Sequence, residues 1–334
     1  MIKKLIFIVL GIILLAGCKD STQKDYALSD IDIKVIRYDK LQYEATVMNS
    51  FLALQKMNTQ HSKATKILIE EILELGKVNS NRINEKLCDF YSDTLLVRLM
   101  NDALLKYKDM SDIEEQLTEG FKALKRELPS IIIPKVYAQI SALNQSVVVS
   151  DSLLGFSIDK YMGEDYPLYS KFYYDYQTKS MSVENIVPDC FTFYLIGSYP
   201  YNWQEGHRTL FDLMIYRGKI AWTIEKIFNK NMDGQFSLGY TELEAKWCET
   251  NKDKIKRWMD KRGYTYSRNP MFIRSYLRNT EPLRYENRIL PPSFATWLGM
   301  QMVDDFMKTN KDFTIKRLFE CVNLADHINQ QQSN

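Results

Sequence analysis

Apolar and polar residues alternate over positions 31–38, where Ile31, Ile33, Val35 and Ile36 share the run with Asp32, Lys34 and Arg37. A period of two with β-branched side chains predicts a strand. From residue 41 to residue 128 the spacing lengthens to the helical period. Ile67, Leu68, Ile72 and Leu75 fall on one face, and Leu95, Leu96, Leu99, Leu104 and Leu105 continue the helical pattern. Ile113, Leu117, Phe121, Leu124 and Leu128 form a further stripe. Stripes at this spacing are core-facing surfaces. Ser111 with Glu114 three residues on predicts a capping box, and Pro129 stops the helix it opens. Glu70 and Glu71 lie on the flank of their helix and are expected in solvent.

Three strand-like runs follow, over residues 131–140, 147–149 and 153–158. Pro134 places the first at an edge or at a strand start. Residues 144–146 and 150–152 supply the turns. Beyond residue 167 the pattern is again helical. A long helix is expected over 207–228, interrupted at Gly218. Thr241 and Glu244 form a second capping box, ahead of a helix bearing Leu243, Trp247, Ile255 and Trp258. Pro291-Pro292-Ser293 opens a helix with Phe294, Trp297, Leu298, Met302 and Phe306 inward. Residues 313–325 form the last helix and 330–334 a frayed tail. No repeat and no linker divides the chain. The expected fold is a single α+β domain over residues 31–334, predominantly helical with a small mixed sheet.

The first eighteen residues stand apart. Lys3 and Lys4 precede a short apolar run, and Leu15-Ala16-Gly17-Cys18 follows it. A cationic start, a compact apolar core and small residues before a cut are the parts of a secretory signal. The run is well short of the ~20 residues that span a bilayer. Its last four residues resemble the lipobox of bacterial lipoproteins, in which the cysteine thiol takes a diacylglycerol and becomes the new, acylated N-terminus. The expectation is a signal peptide over 1–17, lipid attachment at Cys18 and a polar tether over 18–30. The protein is then expected in the cell envelope, lipid-anchored to a membrane, on the outer-membrane or periplasmic side.

Charge narrows the partners. The 334 residues carry 44 Lys and Arg against 42 Asp and Glu. Without Lys3 and Lys4 the balance is 42 against 42, so nucleic acid is not an expected partner. One asymmetry is local. Between Lys252 and Arg288, eleven basic residues oppose four acidic ones, whereas 102–119 is acidic. The two stretches are expected to face each other, with a basic face for acidic partners or lipid headgroups as the alternative. Beyond Cys18 the cysteines are Cys88, Cys190, Cys248 and Cys321, with no CxxC pair. They are expected as free thiols, since a core of this size needs no staple.

The sequence is poor in catalytic motifs. It has no G-x-S-x-G elbow, no phosphate-binding glycine loop and no HExxH. Of three histidines, His61 and His327 read as surface residues. His207 follows Glu205, but position 211 is Phe211, so the i, i+4 imidazole pair of a zinc helix is absent. Glu205 then sits near a helix N-terminus, where its charge is favoured. Tyr199, Tyr201 and Trp203, beside Pro200 and Asn202, form a turn able to stack a sugar or to be buried.

Three stretches carry a family resemblance. They are residues 149–163, residues 209–219 followed by Leu238-Gly239-Tyr240-Thr241 and Trp247, and Pro292 with residues 297–303. With the lipobox they resemble, in order, the GldB lipoproteins of gliding bacteria. The resemblance implies an envelope lipoprotein of a motility or secretion apparatus, without enzymatic activity, meeting other envelope proteins. It also implies a degenerate zincin-like architecture. Where such relatives place an acidic residue, this chain has Arg217-Gly218-Lys219, and a fixed cation takes the place of a metal. The candidate vestigial cleft is Glu205, His207, Asp212, Lys219 and Tyr240. No cofactor beyond the lipid on Cys18 is expected. The alternatives are a divergent hydrolase using that cleft, and a glycan or small-molecule binder using the aromatic turn.

Overall fold

The computed structural model describes residues 28–202, 208–277 and 283–333. Cys18, most of the tether, Trp203, Glu205 and His207 lie outside the described residues. The helices are α1 (Tyr38–Thr46), α2 (Phe51–Thr59), α3 (Ser62–Ile67), which runs into a π-helical turn (Leu68–Ile72), α4 (Ile83–Tyr91), α5 (Thr94–Lys106), α6 (Ser111–Glu127) and the short α7 (Asp175–Thr178). They continue with α8 (Ile186–Ser198), α9 (Leu210–Ile227), α10 (Glu242–Lys261), α11 (Pro270–Leu277), α12 (Phe294–Thr309), α13 (Ile315–Glu320) and α14 (Leu324–Ser333). The strands are β1 (Ile36–Arg37), β2 (Lys135–Gln139), β3 (Val147–Ser150), β4 (Leu153–Ser157) and the hairpin β5 (Arg284–Tyr285) with β6 (Arg288–Ile289). The fold is α+β and mostly helical.

The main sheet has the order β1-β2-β4-β3. β1, β2 and β4 run parallel, with Ile36 beside Tyr137 and Tyr137 beside Gly155. β3 turns back antiparallel on β4, with Val148 opposite Gly155. Pro134 precedes β2 directly, where its missing N–H breaks no ladder. At the far end of β2, the buried Gln42 of α1 accepts from Ile140 N at 2.8 Å and donates to Ile140 O at 2.9 Å. One side chain thus replaces the strand neighbour that the ladder lacks there.

The period-two stretch before β1 is extended, but only Ile36 and Arg37 join the sheet. Ile31, Ile33 and Val35 are buried as the alternation predicts. Their backbone is satisfied by α6 instead: Ile33 N donates to Thr118 Oγ1 at 2.9 Å and Val35 N to Glu114 Oε1 at 2.8 Å. The same contact undoes the predicted Ser111–Glu114 box. Glu114 is committed to residue 35, and Asp109 accepts from both the Ser111 amide and its hydroxyl. Glu70 also departs from the solvated expectation. Its carboxylate accepts from Val78 N and pairs with Lys77, both at 2.9 Å, closing the loop after the π-helical turn.

The second half is built on a helix crossing. α9 and α12 meet at Gly218 and Gly299. A Cβ on Gly218 would lie 2.2 Å from the Gly299 carbonyl carbon, and one on Gly299 would lie 2.0 Å from Met214 O. Only hydrogen fits at such a backbone approach. Gly218 therefore does not interrupt its helix; it lets α12 touch it. Buried Trp222 seals the crossing by donating Nε1–H to Asp304 at 2.9 Å. The Thr241–Glu244 capping box forms as predicted, while Leu243 beside it is exposed. The expected last helix is two. Thr314 caps α13, Cys321 turns the chain extended, and α14 runs on to Ser333 through the expected tail. Buried apolar side chains from Ile31 to Ile328 form one connected cluster. Cys88, Cys190, Cys248 and Cys321 are free thiols.

Candidate functional site

Thr209 starts α9 with a reciprocal cap. Its amide and hydroxyl donate to Asp212 at 2.8 and 2.7 Å, and Asp212 N returns a bond to Thr209 Oγ1. From this fixed start, Asp212, Tyr216 and Lys219 follow at spacings of four and three, on one face of the helix. The turn after α8 and the segment joining α13 to α14 close over that face. Together they enclose a cavity of about 300 Å³.

Its walls are rings held by one another. Tyr216 donates to Tyr199 O at 3.0 Å. The Tyr199 ring lies 4.6 Å from Phe319, and Tyr201 stands edge-on to Tyr216 at 5.1 Å. Lys219 is 8% exposed. Its Nζ lies 5.6 Å from the Tyr216 ring centre and 5.1 Å from that of Phe319. Among the described residues no carboxylate pairs with it. Burial therefore lowers its pKa to about 8, with the Cys321 thiol opposing the shift. The rings return part of the lost hydration through their negative faces.

The structure thus brings Asp212 and Lys219 into one cavity and joins to them Tyr199 and Tyr201 of the aromatic turn. Tyr240 is not part of it. It is buried elsewhere and donates to Pro292 O at 2.8 Å, tying the loop before α10 to the start of α12. Glu205 and His207 lie outside the described residues. His61 is half-buried and edge-on to Tyr38, and His327 is exposed.

Four desolvated acids do not stand out in the sequence: Asp39 and Asp159, both fully buried, and Asp189 and Glu225. Asp189 on α8 accepts from Tyr161 Oη at 2.7 Å. Desolvation pushes its carboxyl up to about 6, against the pull of that hydrogen bond, Arg217 and Lys160. Glu225 on α9 is fully buried and accepts from Ser237 N and Oγ at 3.0 and 2.8 Å. Burial pushes it up to about 7. The available signal was a lone carboxylate inside an apolar helix, as in Ile186-Val187-Pro188-Asp189-Cys190-Phe191. These residues do not fit a zinc ion. Zinc needs converging N, O or S donors, whereas the charged side chains that Asp189 faces are cations. Among the described residues, no group of three His, Cys, Asp or Glu is placed to hold a metal.

The expected pairing of the basic and acidic stretches does not occur in the ion pairs of the described residues. On the acidic side, Glu114 pairs with Lys34 and Asp102 with Arg98. On the basic side, Lys252 pairs with Asp305, while Arg262 and Arg288 lie over Trp258 and Trp247. The physical reason is placement: α6 packs on the N-terminal segment and α8, away from α10.

The frame is mostly helical α+β, and among the described residues no helix is long and apolar enough to cross a membrane. The chain belongs to a family: the model described as gliding motility protein GldB matches residues 19–330. The match begins directly after Cys18, and it places the chain among gliding-motility-associated lipoproteins. No curated protein and no solved structure matches it.

Proposed function

We propose that the protein is a lipid-anchored, non-enzymatic component of the cell envelope, an interaction or assembly part of a gliding-motility or secretion-type apparatus. The observation that carries this reading is the chemistry of the α9 cavity. It presents a single desolvated cation over aromatic rings. A hydrolytic site needs a nucleophile or activated water with a base in hydrogen-bond reach. Asp212, the one carboxylate among the described residues of the cavity wall, has its Oδ2 engaged in capping α9. A desolvated cation among aromatic rings supports a binding role over a hydrolytic one. The aromatic walls formed by Tyr199 and Tyr201 also favour a second reading, a small-molecule or glycan binder on the same anchor.

Cys18 supplies the membrane. A single acyl chain binds a bilayer only marginally, whereas two or more hold stably. Cys18→Ala in the native bacterium is expected to leave the membrane fraction and to lose the apparatus function, read as surface spreading or secretion, at unchanged abundance. A Cys18→Ala protein that supports wild-type spreading and secretion while unanchored overturns the proposal.

A further inference from the structure

We infer that the α9 cavity binds a carboxylate attached to an apolar body, with Lys219 as its counter-ion, and that the carboxylate is the C-terminus of a partner polypeptide. Burying an ammonium without an anion is costly, and proteins ordinarily avoid it. Lys219 is held in that condition by its place on α9, with the Tyr216 and Phe319 ring faces and the Cys321 thiol near its charge and, among the described residues, no paired carboxylate. A ligand anion is the missing partner. One cation matches one negative charge, so a monoanionic carboxylate fits where a phosphate dianion would leave charge uncompensated.

The walls select the rest of the ligand. Tyr199, Tyr216 and Phe319 surround Lys219, and Val322 and Leu324 continue the apolar lining. At about 300 Å³ the space takes one side chain together with its carboxylate. The far end is different. Asp212 stands two helical turns from Lys219, roughly 10 Å along the axis. With Asn202 it makes that end polar, a match for a backbone amide rather than for a second apolar group. An apolar C-terminal residue has this polarity: carboxylate, apolar side chain, then an N–H leading away. A simple organic acid lacks the N–H. The choice of a polypeptide rests on the interaction reading above; the carboxylate preference rests on the cavity alone.

The test uses the full lipidated chain in detergent and three probes: N-acetyl-L-phenylalanine, its carboxamide, and 3-phenylpropionate. The readout is the rate at which trace acetic anhydride at pH 8 acylates Lys219, followed by peptide mapping, with thermal melting in parallel. N-acetyl-L-phenylalanine is expected to slow acylation about tenfold, equivalent to 1.4 kcal/mol. The carboxamide should give no protection, and phenylpropionate less than the amino-acid derivative. Lys219→Met should melt cooperatively and show no ligand-induced rise in melting temperature, while Lys219→Arg keeps part of it. Equal protection by the carboxamide overturns carboxylate recognition. Equal protection by phenylpropionate overturns the polypeptide source, and protection by none overturns the site. The measurement needs neither membrane nor motility, so it can fail while the Cys18 experiment succeeds, and the reverse.

Discussion

Gly299→Ala is expected to cost more than about 3 kcal/mol and to leave little folded protein at 37 °C, because overpacking two backbones exceeds the usual range for an added methyl. In an ordinary helix the same change gains up to about 1 kcal/mol through propensity. Here the sign reverses. The new Cβ would sit 2.0 Å from Met214 O, and neither helix can answer by changing a rotamer. Gly218→Ala should behave alike, with its Cβ 2.2 Å from the Gly299 carbonyl carbon. Gly197→Ala is the control. It is also helical, but its Cβ would meet only the Val149 side chain, at 3.2 Å. Urea unfolding of the three variants should rank Gly197→Ala near wild type and the other two far below. A Gly299→Ala protein as stable as wild type would show that α9 and α12 do not touch at this crossing. The cavity depends on the crossing, since α12 presses on the side of α9 that carries Gly218 while the neighbouring position, Lys219, lines the opening.

Lys219→Met is expected to stabilise the ligand-free protein by about 3 kcal/mol at neutral pH, since each pKa unit is worth 1.36 kcal/mol. The folded chain holds the Lys219 proton with a pKa of about 8, against an ordinary 10.5. Below pH 8 both states carry the proton, and the whole penalty of burying the charge is present. Between about 8 and 10.5 the unfolded chain binds more protons than the folded one, so stability climbs with pH. The groups facing Lys219 are the Tyr216 and Phe319 rings and the Cys321 thiol. Tyrosines titrate in the same alkaline range, so the quantity to read is the difference between wild type and variant. That difference should be largest at pH 7 and shrink towards pH 10. A constant difference across that range would mean that the ammonium is solvated and that the cavity holds no unmet charge.

Much of this architecture is legible in the sequence because it rests on local chemistry. Pro134 marks the start of β2, and the Thr241–Glu244 box marks the start of α10. The stripe from Ile113 to Leu124 marks the buried face of α6. Local reasoning fails where a distant partner competes. Glu114 is a good capping residue until the amide of residue 35 arrives, and Ser111 is a good cap until Asp109 takes its hydroxyl. The alternation over 31–35 correctly predicts an extended chain with one buried side. It cannot say that Thr118 and Glu114, rather than a strand, satisfy the amides. The apolar period over 313–325 runs through Cys321 without a visible break, although the backbone leaves the helix there.

The candidate site shows the same division. Lys219 stands out in the sequence as a cation inside the otherwise apolar stretch Leu213–Thr223, next to Arg217. Its surroundings do not stand out. Tyr199 precedes it by twenty positions and Phe319 follows it by a hundred, and no period links them. Tyr240, which looked like a neighbour because it closes a stretch shared with the family, is turned into the core and bonded to Pro292 O. Asp189 does not stand out in the sequence because single carboxylates are common. Its meaning comes from burial beside Tyr161 and the charges of Lys160 and Arg217.

The most direct measurement is capture from crosslinked envelopes of the native bacterium, with the wild-type chain and Lys219→Met compared at equal abundance and equal membrane association. A cavity that holds a partner through this one cation predicts a discrete set of envelope proteins with the wild type. At least one of them should be lost with Lys219→Met and restored in part with Lys219→Arg. Recovery of the same proteins at the same yield from Lys219→Met, or of none above background from the wild type, would contradict it.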